Sequence, residues 1–181
     1  MAAEFVGAGA QAGSTAGLPL SRCLARRSFL AFSLACVIAP PLQAKVPSHF
    51  GVVLGNGLLC RDQTSNRYYF DYMVRWFGQP YKREGGAYWF RTPEARLWGF
   101  AVREVIVSDE TFPYRFVGAV ADTTPDKLAE AITQRDGLRY AKITGSATPV
   151  REASTGGRIA YAERRSKIYC AKFKPLPPAL R

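Results

Sequence analysis

The sequence predicts an α+β fold, in which an antiparallel sheet carries two helices packed on one face. Two amphipathic helices are signalled at both of their ends, and each is followed by three runs of strand-forming residues. This order, one helix and three strands twice over, fits a degenerate tandem of αβββ units over residues 61–121 and 123–174. The halves share no sequence identity that would establish a repeat.

The first helix is predicted from its apolar stripe and from the residues that begin and end it. Asp62, Thr64 or Ser65 can cap its start, because a short side-chain oxygen accepts from the free amides of the first turn. Gly78 favours a left-handed stop, and Pro80 prevents continuation. The stripe has the spacing of one helix face and comprises Tyr69, Tyr72, Met73, Trp76 and Phe77.

The second helix has the clearest signals in the chain. Thr124 is an N-cap residue, and Pro125 has the backbone angle of a first helical position. Asp126 suits the positive end of the helix dipole, and Gly137 is the expected stop. Its buried positions are Leu128, Ala131 and Ile132.

The strands are predicted from runs of β-branched and aromatic residues separated by turn signals. They span 87–91, 97–108, 115–120, 138–144, 158–163 and 167–173. Before the first helix, residues 51–54 are predicted to form a short strand, and Gly55-Asn56-Gly57 a tight turn. Residues 145–157 are rich in Gly, Ser and Thr and are expected to form a loop.

Residues 22–44 have the pattern of a cleavable export signal. Its cationic start precedes an apolar run over 29–39, shorter than the roughly 20 residues of a membrane-spanning helix. Cleavage after Ala44 would leave a mature chain from Lys45, with one domain over 45–174 and an extended Pro-rich tail over 175–181. Residues 1–21 are expected to be disordered or an over-long start of the gene.

Two features of the signal leave its route open. Arg26-Arg27 matches a twin-arginine signal, but such pairs also occur in ordinary secretory signals. Cys36 would be the lipidated residue of a lipoprotein, although Leu34 stands one place late for the usual lipid-attachment motif. We favour a periplasmic or secreted protein without a lipid anchor and without a transmembrane segment in the mature chain.

The charge of the chain favours acidic partners. Lys45 to Arg181 carries 22 lysine and arginine residues against 13 aspartate and glutamate residues, a formal net charge of +9. An envelope protein or an anionic polymer or lipid fits this balance, whereas nucleic acid is disfavoured for an exported chain. A basic surface that serves only solubility is the alternative interpretation.

Two cysteines remain after the signal, Cys60 and Cys170. In an oxidising compartment, one cysteine near each end of a domain predicts a disulfide. A catalytic or metal-binding role would need partner residues that the sequence does not supply.

The sequence contains no recognisable catalytic motif. His49 is the single histidine and lies near the expected mature N-terminus, where chains are often mobile. Carboxylate pairs can be drawn from Glu84, Glu94, Glu104 and Asp109, but they do not indicate a catalytic site because any chain of this size offers such pairs. We therefore expect a non-enzymatic protein with no cofactor and no metal site.

Aromatic residues interleaved with cations are the feature that favours binding, because Tyr, Trp and Arg dominate interaction hot spots. Most of the aromatics between Tyr68 and Phe100 are expected to belong to the core. The candidates for a partner surface, in loops and edges or beside the last hairpin, are Tyr81, Lys82, Arg83, Tyr88, Trp98, Arg164 and Arg165.

One segment resembles a known group of envelope proteins. Phe77-Gly78-Gln79-Pro80, followed by Gly85-Gly86-Ala87-Tyr88-Trp89-Phe90, is similar to a helix–turn–strand pattern of the outer-membrane assembly lipoproteins of the SmpA/OmlA type and of the β-lactamase inhibitor protein. The resemblance implies a non-enzymatic domain that binds another protein with its sheet face.

The sequence therefore favours an exported bacterial envelope protein that acts by protein–protein contact, as an inhibitor, immunity or assembly factor. An electrostatic binder of anionic envelope polymer or lipid is the alternative. A small enzyme of unknown class is the third hypothesis.

Overall fold

An antiparallel sheet of nine strands organises the protein in the computed structural model, which describes residues 45–62 and 64–174. Eight strands lie in the order β1-β2-β4-β5-β9-β8-β7-β6, and β3 pairs with β4 beside this path. The strands are β1 (Lys82–Glu84), β2 (Ala87–Arg91), β3 (Arg96–Leu97), β4 (Phe100–Ser108), β5 (Tyr114–Ala121), β6 (Tyr140–Lys142), β7 (Arg151–Ala153), β8 (Arg158–Ala162) and β9 (Arg165–Phe173). The α+β class and the antiparallel sheet are confirmed.

Three helices, rather than the predicted two, occur in the described part of the chain. They are α1 (Phe50–Leu58), α2 (Asn66–Phe77) and α3 (Pro125–Asp136). α1 contacts β3, β5 and β9, α2 contacts β2, β4 and β5, and α3 contacts β8 and β9. Buried residues of all three helices belong to one apolar cluster with one side of the strands, so the helices share a face of the sheet.

The predicted short strand over 51–54 and the turn at Gly55-Asn56-Gly57 are wrong, because this segment is helix α1. Its three glycines give it a low intrinsic helix propensity. Tertiary packing overrides that propensity, since Phe50, Leu54 and Leu58 are buried on one side. A Cβ at Gly57 would lie 2.3 Å from the Tyr69 hydroxyl, so the glycine allows α1 and α2 to approach closely.

The other two helices begin and end where the sequence predicts. Ser65 is the residue that caps α2, and its hydroxyl accepts from the amide of Tyr68. Thr124 caps α3 through the amide of Lys127, with Pro125 at the first position. Gly137 ends α3 in the left-handed conformation, as predicted.

The predicted strand over 97–108 is interrupted by a two-residue turn. Trp98 and Gly99 both have positive φ, 49° and 86°, and they join β3 to β4 through the pair Leu97 and Phe100. Positive φ at both central residues is typical of the turn that matches the twist of a hairpin. This break was not predictable from the residues, because tryptophan rarely adopts such a backbone conformation.

Three further boundaries differ from the prediction. β1 was not predicted, and it pairs with β2 across Gly85-Gly86, which both have positive φ. The segment over 145–157 contains β7, and the strand predicted over 138–144 is only three residues long. These strands are short and carry charged residues, so their apolar alternation is weak.

The sheet has two halves that meet at its centre. β1, β2, β4 and β5 follow one another in the first half, and β6 to β9 do so in the second. The last strands of the halves, β5 and β9, pair antiparallel over eight residues from Tyr114↔Phe173 to Ala121↔Ser166. The halves contain five and four strands, β1 to β5 and β6 to β9, rather than the predicted three each.

A disulfide joins Cys60, just after α1, to Cys170 in β9, which confirms the predicted bridge. It ties the first helix to the centre of the sheet. Over the described residues, no helix is long and apolar enough to span a bilayer. The predicted start over 1–21, the export signal over 22–44 and the tail over 175–181 lie outside the described residues.

Candidate functional site on the outer sheet face

The candidate site is the face of the sheet that points away from the helices, here called the outer face. Side chains alternate between the two faces of each strand, so the register places one row of residues across the outer face. That row is Lys82, Trp89, Ile106, Gly118, Tyr169, Arg158 and Glu152. The neighbouring row contains Arg91, Glu104, Val120, Lys167 and Ala160.

The outer face has an apolar cluster of its own, made only of strand residues. Ala87, Ile106 and Val120 are buried there, and Trp89, Phe116 and Ala162 pack against them while staying partly exposed. No helix residue belongs to this cluster in the described part of the chain. Trp89, Phe116 and Ala162 are therefore accessible in part to an approaching molecule.

Aromatic rings lie in two groups over the central strands, one of two rings and one of three. The rings of Phe116 and Tyr169 are 5.6 Å apart, those of Tyr114 and Phe173 4.4 Å, and those of Phe112 and Tyr114 5.7 Å. Phe173 is 73% exposed. The other four rings are partly exposed, and a patch of this kind is typical of a surface that contacts another molecule.

Gly118 explains how Phe116 lies on the sheet. A Cβ at Gly118 would be 3.0 Å from the Phe116 ring and 3.5 Å from Cβ of Tyr169. The missing side chain leaves space for the ring to lie across the strand. Phe116 thereby becomes a ridge in the middle of the outer face.

Two depressions flank this ridge and share Phe112 and Phe116. The Trp89 depression has a volume of about 350 Å³ and is lined by Glu84, Gly85, Ala87, Trp89, Ile106, Ser108, Phe112, Phe116 and Lys167. The Phe173 depression has a volume of about 510 Å³ and is lined by Phe112, Tyr114, Phe116, Glu152, Gly156, Arg158, Tyr169, Ala171 and Phe173. Each is large enough to receive side chains of another molecule.

A tight turn positions Phe112 between the depressions. The buried Asp109 carboxylate accepts from the hydroxyl and amide of Thr111, at 2.6 and 2.9 Å, and from the amide of Phe112 at 3.1 Å. The guanidinium of Arg83 contacts the same carboxylate at 2.7 Å. The Thr111 hydroxyl, with the Arg83 guanidinium, lowers the pKa of Asp109 to about 2, against the opposite effect of burial.

Most charged groups at the edges of the outer face are paired. The Lys82 ammonium lies 4.0 Å from the centre of the Trp89 ring and 2.9 Å from the Glu84 carboxylate. Arg158 pairs with Glu152 at 2.9 Å. These pairs leave the centre of the face dominated by aromatic surface.

Tyr81 and Lys82, two of the predicted partner-binding residues, lie at the β1 edge of the outer face. The Tyr81 hydroxyl donates to Glu104 at 2.6 Å, and burial together with this bond raises the pKa of Tyr81 to about 12. The Arg91 guanidinium lies 4.8 Å from the centre of the Tyr81 ring. Both candidates therefore border the aromatic surface.

Arg83 and Tyr88 lie on the helix side of the sheet instead. Arg83 lies 5.3 Å from the centre of the Tyr88 ring, which packs against Phe70 of α2 at 4.7 Å. A cleft of about 380 Å³ is found there, lined by Asn66, Arg67, Phe70, Tyr88, Ser108, Asp109, Glu110, Arg115 and Lys174. The structure does not bring this pair together with Tyr81 and Lys82.

Trp98 is a core residue, so its prediction as a surface residue is wrong. It is 8% exposed, belongs to the main apolar cluster, and its indole donates to Asp136 at 2.7 Å. The left-handed turn at Trp98 directs the ring inward, and a loop position alone does not reveal this direction.

Arg164 and Arg165 lie at the β8–β9 hairpin, at one end of the sheet. Arg164 is exposed at the turn, and Arg165 pairs with Asp122 at 3.0 Å. Asp122 also pairs with Arg103. Arg165 is thus partly neutralised, and Arg164 stands apart from the depressions.

Two groups that the sequence offered for chemistry, His49 and Asp109, contact neighbouring side chains and amides. His49 is exposed, and its ring lies 5.5 and 5.6 Å from the rings of Tyr72 and Trp76. The part of the chain that the structure describes contains no group of three or more metal-ligating side chains. The Asp109 carboxylate, fully hydrogen-bonded and with its pKa at about 2, is unsuited to donate a proton near neutral pH.

Several residues of the site were missed in the sequence, namely Trp89, Phe112, Tyr114, Phe116, Lys167, Tyr169 and Phe173. A signal was present, because Phe112, Tyr114 and Phe116 alternate, as do Lys167 and Tyr169. Period-two spacing places such residues on one face of a sheet. What the sequence could not show is that the strands bearing these residues are neighbours.

Comparison with known proteins gives no relative for this chain: no protein-family model, no curated protein and no solved structure matches it.

Proposed function

We propose that this chain is an exported envelope protein that binds a protein partner with its outer sheet face, as an inhibitor, immunity or assembly factor. The observation that carries the proposal is an aromatic sheet face with two depressions, whose apolar cluster includes no helix residue within 45–62 and 64–174. Stiff aromatic groups in a concave surface give large contact area at a low cost in conformational entropy.

The geometry favours a protein partner over a small molecule. Both depressions open widely on the same face and share the Phe116 ridge, so one ligand surface can fill both. A small ligand is usually enclosed on most sides. A protein surface, by contrast, can cover the ridge and place one side chain in each depression.

Export is supported by two independent features. Residues 22–44 have the pattern of a secretory signal, and the disulfide is of a kind that persists in oxidising compartments. Together they favour a partner in the bacterial envelope or outside the cell.

Binding of anionic envelope polymer or lipid is the second candidate, and the net charge of +9 over residues 45–181 favours it. Many of the cations are engaged with carboxylates, among them Arg83, Arg158 and Arg165. The second candidate predicts binding that collapses between low and moderate salt, whereas aromatic contacts persist.

The test is capture from envelope extract by the exported full chain, tagged at its C-terminus and washed at low and at high salt. Phe173→Ala removes an exposed ring of the outer face, and Tyr68→Ala removes a ring on α2 that is 48% exposed. We expect one protein to be retained through high salt by the wild type and by Tyr68→Ala, and to be lost with Phe173→Ala.

Equal capture by all three chains would show that the outer face is not the binding surface. Recovery of lipid or polymer alone, lost at high salt, would favour the second candidate. Circular dichroism and intact-mass measurement of the disulfide establish that both variants are folded.

A further inference from the structure

We infer that Lys167 is the anchor of the outer face and that it receives a carboxylate side chain from the bound protein. The inference deepens the proposed function and rests on it. It concerns the chemistry of the partner: an acidic residue beside apolar residues that fit the two depressions.

Lys167 occupies the middle of the sheet rather than its rim. It lies on β9, between Val120 of β5 and Ala160 of β8 in the register, and it is only partly exposed. Its ammonium is 5.9 Å from the centre of the Tyr169 ring and lines the Trp89 depression. A cation is thus set among apolar groups.

Lys167 also has no carboxylate within 4.0 Å among the residues that the structure describes. Lys82 and Arg158, the cations of the first row, each have one. Within the described residues, no ion pair of this kind involves Lys167 or Arg91, which are the remaining cations in the two rows. Arg91 is exposed at the end of β2 and stacks on Tyr81, so water can continue to solvate it.

Covering the face changes the environment of Lys167 in particular. A partner that fills the Trp89 depression removes water from the ammonium, and a buried charge without a partner is strongly unfavourable. A carboxylate from the partner offsets this cost and adds charge-assisted hydrogen bonds. An apolar partner without an acid at this point would bind more weakly.

The Phe173 depression indicates which kind of residue the partner carries beside its acidic residue. Its walls include Tyr114, Tyr169 and Phe173, and its single ion pair, Arg158–Glu152, is already formed. An aromatic or aliphatic side chain matches this lining. The partner segment should therefore carry an acidic and a large apolar residue that straddle Phe116.

The experiment uses a phage-displayed library of random 12-residue peptides, panned on the exported full chain. Soluble Trp89→Ala/Phe116→Ala protein is present as competitor, so that peptides independent of the outer face are removed. We expect the retained peptides to contain Asp or Glu close to a large apolar residue.

Synthetic copies of the retained peptides are then measured on single variants. Lys167→Met should weaken binding by about 30-fold or more, as expected for loss of one partner of a desolvated charge pair. Lys167→Arg should retain most of the affinity. Lys127→Met, at an exposed position on α3 and so on the opposite side of the sheet, is the matched control and should change the affinity by less than about threefold.

The outcomes separate the inference from the proposed function. Peptides that require Trp89 and Phe116 but bind Lys167→Met as tightly as wild type would overturn the role of Lys167 and leave the binding face intact. If no peptide depends on Trp89 and Phe116, the proposed face and the Lys167 anchor both fail. Should Lys167→Met not fold, loss of acidic-peptide binding in Lys167→Gln decides the question.

Discussion

Trp98 illustrates how a single residue can reverse the expectation drawn from its neighbours. Its φ of 49° lies in the left-handed region, which a bulky residue rarely adopts. Burial of the ring beside α1 and the hydrogen bond from its indole to Asp136 offset that cost. The backbone conformation is thus decided by contacts made far away in the chain.

Asp109 is the residue on which the turn before β5 depends. It is 3% exposed, and it accepts hydrogen bonds from the Thr111 hydroxyl and from two amides. The same turn holds Phe112 between the two depressions. Stability and the shape of the candidate site are therefore linked at this carboxylate.

Asp109→Asn is expected to lower the free energy of unfolding at pH 7 by about 1.5–3 kcal/mol, the usual worth of hydrogen bonds to a charged group. The pKa of Asp109 in the folded state is lowered to about 2 from an ordinary value of 3.8, so its stabilisation is complete above pH 4. That stabilisation is lost as the pH falls towards 2. Urea unfolding, followed by tryptophan fluorescence at pH 7, 4 and 2.5, measures the difference.

The difference in free energy of unfolding between the wild type and Asp109→Asn should become smaller from pH 4 to pH 2.5. Glu130→Gln, at an exposed position on α3, serves as the control and should change stability by no more than about 0.5 kcal/mol. A gap that stays constant down to pH 2.5 would contradict the ionic role of Asp109.

Helix α1 is the element whose sequence and structure disagree most. Two of its glycines, Gly55 and Gly57, are buried, and Gly57 faces the hydroxyl of Tyr69. That hydroxyl donates to Asp62 at 2.6 Å. The pKa of Tyr69 is raised, mainly by burial and also by this hydrogen bond. The helix exists because its apolar residues Phe50, Leu54 and Leu58 are buried and Gly57 fits against α2, not because its residues favour helix.

Two glycine substitutions within α1 should have opposite effects. Gly57→Ala places a methyl group in contact with the Tyr69 ring and should lower the free energy of unfolding by about 1–3 kcal/mol. At Gly51, a methyl group would meet no other described part of the chain within 4 Å, so Gly51→Ala should raise the free energy of unfolding by about 0.5–1 kcal/mol. Chemical denaturation of both variants provides the comparison, and equal shifts would refute the close-packing account.

The strands that were predicted correctly are those whose residues show a clear β-strand pattern. β2, β5, β8 and β9 lie within a few residues of their predicted bounds, because each combines β-branched or aromatic residues with a turn signal. β1 and β7 escaped prediction since their three residues are mostly charged, and pairing with a longer neighbour is what makes them strands.

At the scale of the whole molecule, the disulfide connects parts of the chain that are 110 residues apart. It fixes the end of α1 to β9, the strand that also carries Lys167 and Tyr169. The ammonium of Lys172 donates to the carbonyl of Cys60 at 3.2 Å, which reinforces the same junction. The first helix and the centre of the site are thus held together.

Removal of the bridge by Cys60→Ala with Cys170→Ala should lower the free energy of unfolding by about 2–5 kcal/mol, because a long loop is no longer closed in the unfolded chain. Wild-type protein unfolded in the presence of reductant should match the double variant. Urea midpoints of the oxidised, reduced and double-variant chains test this, and an unchanged midpoint on reduction would be the contrary result.

Only the β1 edge of the candidate site could be anticipated from the sequence. Tyr81 and Lys82 were identified because they follow a helix stop and precede a strand, where side chains are usually accessible. Trp98 was misplaced, and Phe116, Lys167 and Tyr169 were not identified. Their alternation was visible, but β5 and β9 are separated by α3 and three strands, so nothing local shows that they pair.

The sequence by itself determined the α+β class, the limits of α2 and α3, and the pairing of Cys60 with Cys170. These features depend on short-range periodicity, on capping residues, or on there being only two cysteines to pair. The tertiary structure alone decided that α1 is a helix, that Trp98 is buried, and that one sheet face is an open aromatic surface. Such outcomes depend on which distant segments come into contact, and the energy of those contacts exceeds the local preferences of the residues involved.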